Sequence, residues 1–153
     1  MDVNLKRILW PTDFSEFSMR GGRYAFSFCE HFQAEMHVIH VISPPLSPDV
    51  SLIVPAEVPV AITEPEIVEA SEKALATMVK ESFPDSSKII TKVLFGAPWP
   101  GVCDYAREND IDLIVVTTHG RTGLSHVLIG STAERIVQHA PCAVLTVKQP
   151  KKD

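Results

Sequence analysis

The sequence predicts an α/β fold built on a parallel β-sheet with helices on both faces. Short apolar runs alternate with helix-length amphipathic segments along most of the 153 residues, an order that is typical of parallel sheets. The most apolar run, residues 111–116, fits a central strand that is covered on both faces. Hydrophobic residues make up 45% of the chain and charged residues 22%, which predicts a packed core rather than disorder. We predict strands over residues 7–10, 36–42, 88–95, 111–116 and 142–147, and helices over residues 14–32, 65–82, 100–109 and 131–140.

The first strand and the first helix follow from local signals. The first apolar run ends at Pro11, which favours a turn after the strand. Large apolar side chains then recur at helical spacing, and both Asp13 and Ser15 are residue types that cap helices. The pair Gly21 and Gly22 weakens a helix by about 1 kcal/mol per glycine relative to alanine. We therefore expect these glycines to serve close packing.

The middle of the chain changes character after the second strand. Five prolines punctuate residues 43–64, which predicts a long loop. Pro65 is a residue type favoured in the first turn of a helix, so we expect the second helix to begin there. The alternating run KIITKVLF predicts the third strand, and the turn at residues 96–98 leads into the third helix. The apolar face of the second helix is predicted to consist of Ile67, Ala70, Ala74, Leu75, Met78 and Val79.

Composition and charge exclude several classes of protein. The net charge of −5 leaves no basic excess for binding nucleic acid. The three cysteines, Cys29, Cys103 and Cys142, lack CxxC spacing and lie among apolar residues, which favours free buried thiols in a reducing compartment. The N-terminus has no signal-peptide pattern, and no stretch reaches the roughly 18 apolar residues of a membrane helix. We therefore expect a cytoplasmic protein that binds neither membranes nor nucleic acid.

We expect one domain over residues 1–149, followed by a short basic and polar tail over residues 150–153. In an open parallel sheet, ligands bind beyond the carboxyl ends of the strands, where the winding reverses. Pro11, Thr12 and Asp13 follow the first strand, and a glycine-bearing loop, residues 117–123, follows the fourth. The carboxyl edge is therefore where we expect a ligand.

The start of the last helix carries the second half of this candidate site. Gly120 and Gly130 let the backbone approach a ligand closely, and the free amides of Ser131 and Thr132, with their hydroxyls, favour an anion. The same residues fit a capping box, in which Ser131 and Glu134 satisfy each other's backbone amides without a ligand. Both interpretations stay open, because a hydroxyl can cap the empty protein and turn to a phosphate in the loaded one.

Other sites of known chemistry do not match the sequence. It contains neither the GxxxxGK[ST] pattern of a P-loop nor a GxGxxG motif. His119 lies on the candidate ligand loop and could act as a base or a phosphate donor, but the pattern assigns it no carboxylate partner. His37 and His40 fall on opposite faces of a strand, so they cannot chelate one ion. We therefore predict no metal site and no catalytic residue.

Three stretches resemble the universal stress protein family. They are ILWPTDFS at residues 8–15, the strand ending in His40 and Val41, and the run from Thr118 to Val147 that contains HGRTGLSHVLIGSTAERIVQHAPCAVLTV. The resemblance covers essentially the whole chain. It implies a three-layer α/β/α sandwich of the Rossmann-like, HUP type, with a five-stranded parallel sheet in the order 3-2-1-4-5.

Members of this family that bind ATP carry a motif of Gly, two residues, Gly, nine residues, Gly, then Ser or Thr. Gly120, Gly130 and Ser131 match this motif, but Thr117 occupies the place of the first glycine. A β-branched residue there would crowd a nucleotide only if the position needs a positive φ or turns its Cβ toward the ligand.

The resemblance implies an adenine nucleotide, ATP or AMP, and Mg²⁺ can accompany a triphosphate. An aspartate suits the ribose and adenine end, since a carboxylate accepts hydrogen bonds from ribose hydroxyls or an adenine amine, although Asp13 also suits a simple helix cap. The nucleotide-binding residues that the resemblance implies are Pro11, Thr12, Asp13, Val41, Thr117, His119, Gly120, Arg121, Gly123, Gly130, Ser131 and Thr132.

The resemblance also implies a homodimer that pairs the last strand, Ala143 to Val147, across a two-fold axis. The residues themselves are equally compatible with a covered edge strand of a monomer. We expect a nucleotide-responsive stress-response module rather than an enzyme, because no base, P-loop lysine or carboxylate pair for Mg²⁺ is assignable. Two alternatives stay open: a dimeric interaction module in which Thr117 closes the pocket, and a slow ATPase or phosphotransferase that uses His119.

Overall fold

The computed structural model describes residues 2–43, 64–119 and 129–149. The predicted proline-rich loop falls almost wholly outside these ranges, as do the tail and the predicted site residues Gly120, Arg121 and Gly123. The strands are β1 (Arg7–Pro11), β2 (Glu35–Ile42), β3 (Ile89–Phe95), β4 (Leu113–Thr117) and β5 (Ala143–Val147). The α-helices are α1 (Glu16–Phe32), α2 (Glu64–Ser82), α3 (Pro98–Glu108) and α4 (Ser131–His139), and a short 3₁₀ turn, Ser86–Lys88, precedes β3.

The five strands form one parallel sheet in the order β3-β2-β1-β4-β5. Ile8 pairs with Met36 on one side and with Leu113 on the other, so β1 lies at the centre of the sheet. The chain winds from β1 to β3 in one direction and through β4 to β5 in the other. This confirms the predicted fold class and strand order, and it places the reversal point between β1 and β4.

Each face of the sheet has its own apolar cluster. Helices α1 and α2 cover the face that carries Trp10, Val38 and Val115, and helices α3 and α4 cover the face that carries Ile39 and Ile114. All five of these side chains are fully buried. Consecutive residues of β4 therefore belong to different clusters, which explains why this strand is apolar throughout.

The first helix approaches the sheet closely at its glycine pair. A Cβ on Gly22 would lie 2.8 Å from the ring of the buried Trp10, so a larger residue would need the indole to move. The prediction that these glycines serve close packing is confirmed.

The apolar face of α2 differs from the prediction. Leu75 and Val79 are buried and Met78 is half-buried, but Ala70 and Ala74 are exposed. Ile67, also assigned to this face, is 36% exposed, and Val68 packs against the core instead. Alanine is small enough to lie on either the buried or the exposed face of a helix. The spacing of the alanines therefore did not predict which face of α2 packs against the sheet.

The cysteines of the chain are free thiols. Cys29 and Cys103 are buried, as predicted, and Cys142 is half-buried. Burial raises the pKa of Cys29 from 9.0 to about 12 and that of Cys142 from 9.0 to about 11. Within the described residues, none of the helices is long and apolar enough to cross a membrane.

Candidate functional site

A cavity of about 670 Å³ opens at the carboxyl edge of the sheet, beside the reversal point between β1 and β4. This volume lies within the roughly 300–1,000 Å³ of small-molecule sites. Its wall is formed by the turn after β1, the end of β2, the first turn of α3, the end of β4 and the start of α4. The predicted site residues that line it are Pro11, Thr12, Asp13, Val41, Thr117, Gly130, Ser131 and Thr132.

Thr12 is the best-anchored residue of the turn after β1. Its side chain is buried, and its amide donates to the carbonyl of Ile39 at 2.8 Å. Its hydroxyl oxygen accepts from the amide of Phe14 at 3.1 Å and from the hydroxyl of Ser18 at 2.9 Å. These bonds attach the turn to both β2 and α1.

Asp13 lies in the same turn and is half-buried beside the cavity. Its Oδ1 accepts from the amide of Ser15 at 2.9 Å. Ser15 is the N-cap of α1, and its hydroxyl oxygen accepts from the amide of Ser18 at 3.1 Å. Of the two predicted caps, Ser15 therefore caps the helix, while Asp13 orders the turn before it.

Thr117 ends β4 with its side chain turned toward α1. Its Cγ2 lies 3.3 Å from the position that a Cβ on Gly21 would occupy. Its hydroxyl donates to the carbonyl of His119 at 3.1 Å. Thr117 is a strand residue and is not among the described residues with positive φ. Its backbone conformation is therefore one that threonine adopts readily, and its methyl group packs on α1.

Thr118 connects β4 to the start of α4. Its carbonyl accepts from the amide of Gly130 at 2.5 Å, and its own amide donates to the carbonyl of Val147 at 3.1 Å. A Cβ on Gly130 would lie 3.0 Å from the carbonyl oxygen of Thr118, so a larger residue would require this contact to lengthen by a few tenths of an ångström. Thr118 lines the cavity, whereas His119, whose Nδ1 lies 3.0 Å from the Thr118 hydroxyl, does not.

The N-terminus of α4 faces the cavity, but its cap is not the predicted one. Gly130 is the N-cap, with extended φ and ψ of −70° and 155°, and Ser131 is the first helical residue. The amide of Glu134 donates to the carbonyl of Gly130 at 2.9 Å. Of the two interpretations that the sequence left open, the capping box of Ser131 and Glu134 is therefore wrong. Ser131 and Thr132 are exposed beside the cavity, at a helix end whose amides favour an anion.

Two histidines of β2 occupy the opposite faces that the sequence predicts. His37 is buried on the α3 face, with Nδ1 2.8 Å from the hydroxyl of Tyr105 and Nε2 2.6 Å from a carboxylate oxygen of Glu35. Burial, with a smaller contribution from the Glu35 charge, raises the pKa of Tyr105. His40 lies on the α1 face against Phe14. Within the described ranges, no group of three potential ligands is placed to hold a metal ion.

His40 is a cavity residue that the sequence did not indicate as part of a site. It lines the cavity next to Val41, and its Nδ1 lies 2.8 Å from the carbonyl oxygen of Thr12. In the sequence His40 was weighed as a metal ligand and named, with Val41, in a stretch that resembles the family, but it was given no place in the site. Its position directly before Val41, at the end of a strand, is the signal that could have pointed to it.

Comparison with known proteins identifies relatives of the chain. The universal stress protein family model matches residues 4–148. A universal stress protein of Methanocaldococcus jannaschii is 37% identical over 148 residues, which cover 97% of this chain and 85% of the relative. The universal stress protein UspA of Lactobacillus plantarum, 24% identical, superposes with a TM-score of 0.76 over 95% of this chain and 99% of its own. One from Archaeoglobus fulgidus, solved in complex with dAMP, superposes with a TM-score of 0.61 at 16% identity, over 95% and 98%.

Proposed function

The chain belongs to the universal stress protein family, and on that premise we propose that it binds an adenine nucleotide in the cavity at the carboxyl edge. One observation carries the proposal: the same cavity is lined by Asp13 and by the N-terminal residues of α4. A carboxylate accepts hydrogen bonds from ribose hydroxyls or an adenine amine. A helix N-terminus favours a phosphate. One cavity thus offers a carboxylate for the base and sugar of a nucleotide and a helix N-terminus for its phosphate.

The proposed contacts divide between the two ends of the ligand. We assign the adenine and ribose end to the residues that follow β1 and end β2, namely Pro11, Thr12, Asp13 and Val41. We assign the phosphate end to Thr117, His119, Gly120, Arg121, Gly123, Gly130, Ser131 and Thr132. Of these, Gly120, Arg121 and Gly123 lie outside the described residues, and His119 does not itself line the cavity but directly precedes Gly120.

The ligand class is supported by solved relatives. Universal stress proteins have been solved in complex with dAMP and with cAMP. Both ligands contain adenine, a ribose-type sugar and one phosphate group. We propose AMP and ATP as ligands of this chain, with Mg²⁺ accompanying the triphosphate through its phosphate oxygens.

The proposal is tested by identifying what the purified protein carries. We expect denaturation to release an adenine nucleotide that mass spectrometry detects at about one per chain. Stripped protein, titrated calorimetrically with AMP and with ATP and Mg²⁺, should bind at micromolar concentration, and Asp13→Ala should weaken binding about tenfold or more. If nothing is released and neither nucleotide binds at millimolar concentration, the proposal is wrong, and a dimeric interaction module becomes the better account.

We propose a binding protein rather than an enzyme. His119 is the residue that the competing hypothesis, a slow ATPase or phosphotransferase, would use, so His119→Ala separates the two. Nucleotide turnover that disappears with His119→Ala while binding persists would favour the enzyme. Binding that weakens without any turnover in the wild type would make His119 a ligand contact.

We also propose a cytoplasmic homodimer. Among the described strands β5 pairs only with β4, so it forms an edge of the sheet. An uncovered edge strand exposes backbone groups that can pair with another chain, and a dimer through β5 would cover them. The three free cysteines fit a reducing compartment. Light scattering coupled to size-exclusion chromatography should give the mass of two chains, and Ala143→Lys on this edge should weaken the dimer. A wild-type monomer at micromolar concentration would contradict pairing through β5.

A further inference from the structure

One residue next to the cavity-lining Asp13 has a strained backbone. Phe14 has a φ of 64°, in the left-handed region that bulky side chains rarely adopt. It lies in the turn between β1 and α1, directly after Asp13. Such a conformation persists only where the surrounding structure holds it, and it is found most often at functional sites. The contacts that hold this turn are therefore of interest for the site.

Two of these contacts come from His40, on the neighbouring strand β2. Its Nδ1 lies 2.8 Å from the carbonyl oxygen of Thr12. Because a carbonyl oxygen only accepts hydrogen bonds, Nδ1 must carry a hydrogen and act as the donor. The imidazole ring also packs against the ring of Phe14, with centroids 4.5 Å apart and planes inclined by 50°.

His40 thus contacts the residue on each side of Asp13. Thr12 is held through its carbonyl oxygen, and Phe14 through its ring. The peptide group before Asp13 is consequently tied to β2 by a hydrogen bond, and the residue after Asp13 is held by its ring. The direction of the Asp13 side chain depends on the backbone between these two contacts.

We propose that His40 is a positioning residue of the nucleotide site, which holds the strained turn that presents Asp13 to the cavity. This inference rests on the proposed function, because Asp13 is the residue through which His40 would act on the ligand. It adds to the site a side chain whose role is to orient the carboxylate.

Two substitutions separate the hydrogen bond from the bulk of the side chain. The side-chain nitrogen of asparagine is as many bonds from Cα as Nδ1 of histidine, so His40→Asn retains the donor to Thr12. His40→Leu keeps a side chain of similar bulk against Phe14 and removes the donor to Thr12. His31→Leu is a matched control, because His31 is exposed on α1 and does not line the cavity.

The wild type, the three variants and Asp13→Ala are titrated calorimetrically with AMP. We expect His40→Leu to weaken binding about tenfold, His40→Asn to recover most of that loss, and His31→Leu to bind as the wild type does. In the Asp13→Ala background, His40→Leu should have little further effect, since both substitutions remove the same contact. Wild-type affinity in His40→Leu, or losses that add in full, would overturn the inference.

A second measurement distinguishes a failure of the proposed nucleotide binding from a failure of the proposed role of His40. In nucleotide-free protein, the three-bond HN–Hα coupling and backbone shifts of Phe14 report its φ by NMR. We expect His40→Leu to lose the positive φ and His40→Asn to keep it. Absence of wild-type binding would defeat the proposed function, whereas an unchanged Phe14 in His40→Leu would defeat the inference about the turn. If His40→Leu does not fold, His40→Gln replaces it, because its nitrogen lies one bond too far from Cα to reproduce the hydrogen bond.

Discussion

The methyl carbon of Thr117 packs against α1 at Gly21, 3.3 Å from where a Cβ of that glycine would lie. The family motif has a glycine at the position of Thr117, and here a glycine on the facing helix leaves room for the larger residue instead. The Thr117 hydroxyl is engaged by the carbonyl of His119. The threonine that replaces the motif glycine therefore fits into the fold on the side of β4 that faces α1.

We predict that Thr117→Gly leaves the affinity for AMP within about threefold of the wild type, because the methyl group is directed at α1 and the substitution keeps the backbone through which this position would meet a phosphate. The same change should lower the free energy of unfolding by about 1–2 kcal/mol, since it removes buried methyl contacts and adds the backbone freedom of glycine. Calorimetric titration and urea denaturation measure the two effects. Thr117→Ser, which keeps the hydroxyl, is the control. An affinity that rises tenfold or more in Thr117→Gly would mean that Thr117 obstructs the ligand.

The capping residues give a second prediction. Ser15 accepts a hydrogen bond from the amide of Ser18 and caps α1, whereas Ser131 is the first residue inside α4. Ser15→Ala should therefore cost about 1 kcal/mol of stability. Ser131→Ala should change stability by less than about 0.5 kcal/mol and should weaken nucleotide binding. Thermal unfolding of both variants tests this, and an equal loss in Ser131→Ala would restore Ser131 as a cap.

The fold could be predicted because its signals are local and repeated. The apolar run of β4 and the alternation of strands with helix-length segments each depend on residues that are neighbours in the sequence. The cap of α4 could not be predicted in the same way. Gly130 and Ser131 are both acceptable caps, and the choice depends on which residue adopts the extended conformation. That in turn depends on the hydrogen bond from Gly130 to Thr118, which no local pattern reveals.

The residues that line the cavity were predicted only in part, for a related reason. Asp13 and Ser131 lie at strand and helix ends, which the sequence marks with turn residues and glycine. His40 lies within a strand and contacts a carbonyl oxygen 28 residues earlier in the chain. Hydrophobic periodicity assigns such a residue to a face of the sheet but says nothing about its partner. Its contact with Thr12 follows only from the parallel pairing of β1 with β2.

The buried hydrogen-bond pair of His37 and Tyr105 gives a third prediction. Glu35 accepts from Nε2 of His37, so in the neutral ring Nδ1 is an acceptor and the Tyr105 hydroxyl donates to it. Tyr105→Phe removes that donor and leaves a buried nitrogen without its partner, which should cost about 1–3 kcal/mol of stability. Tyr24→Phe is the control, because Tyr24 is 44% exposed. Urea denaturation that shows equal stability for the two variants would contradict the role of this hydrogen bond.

The last prediction concerns alkaline pH. Burial raises the pKa of the Cys29 thiol from 9.0 to about 12. An unfolded thiol therefore loses its proton first, so its contribution to stability is complete below pH 9 and is lost progressively as the pH rises toward about 12. The ionisation of Cys29 changes the free energy of unfolding by at most about 1.4 kcal/mol per pH unit. Cys142, with a pKa of about 11, acts in the same direction.

Urea denaturation from about pH 8 to about pH 11 measures this loss as a slope. Cys29→Ala should lower the stability at every pH because it removes buried atoms, but its stability should fall less steeply above pH 9 than that of the wild type. The difference in slope isolates the ionisation of Cys29 from the packing effect, which is the same at each pH. Parallel curves for the two proteins would show that the folded and unfolded thiols ionise alike, and the burial of Cys29 would then not control its pKa.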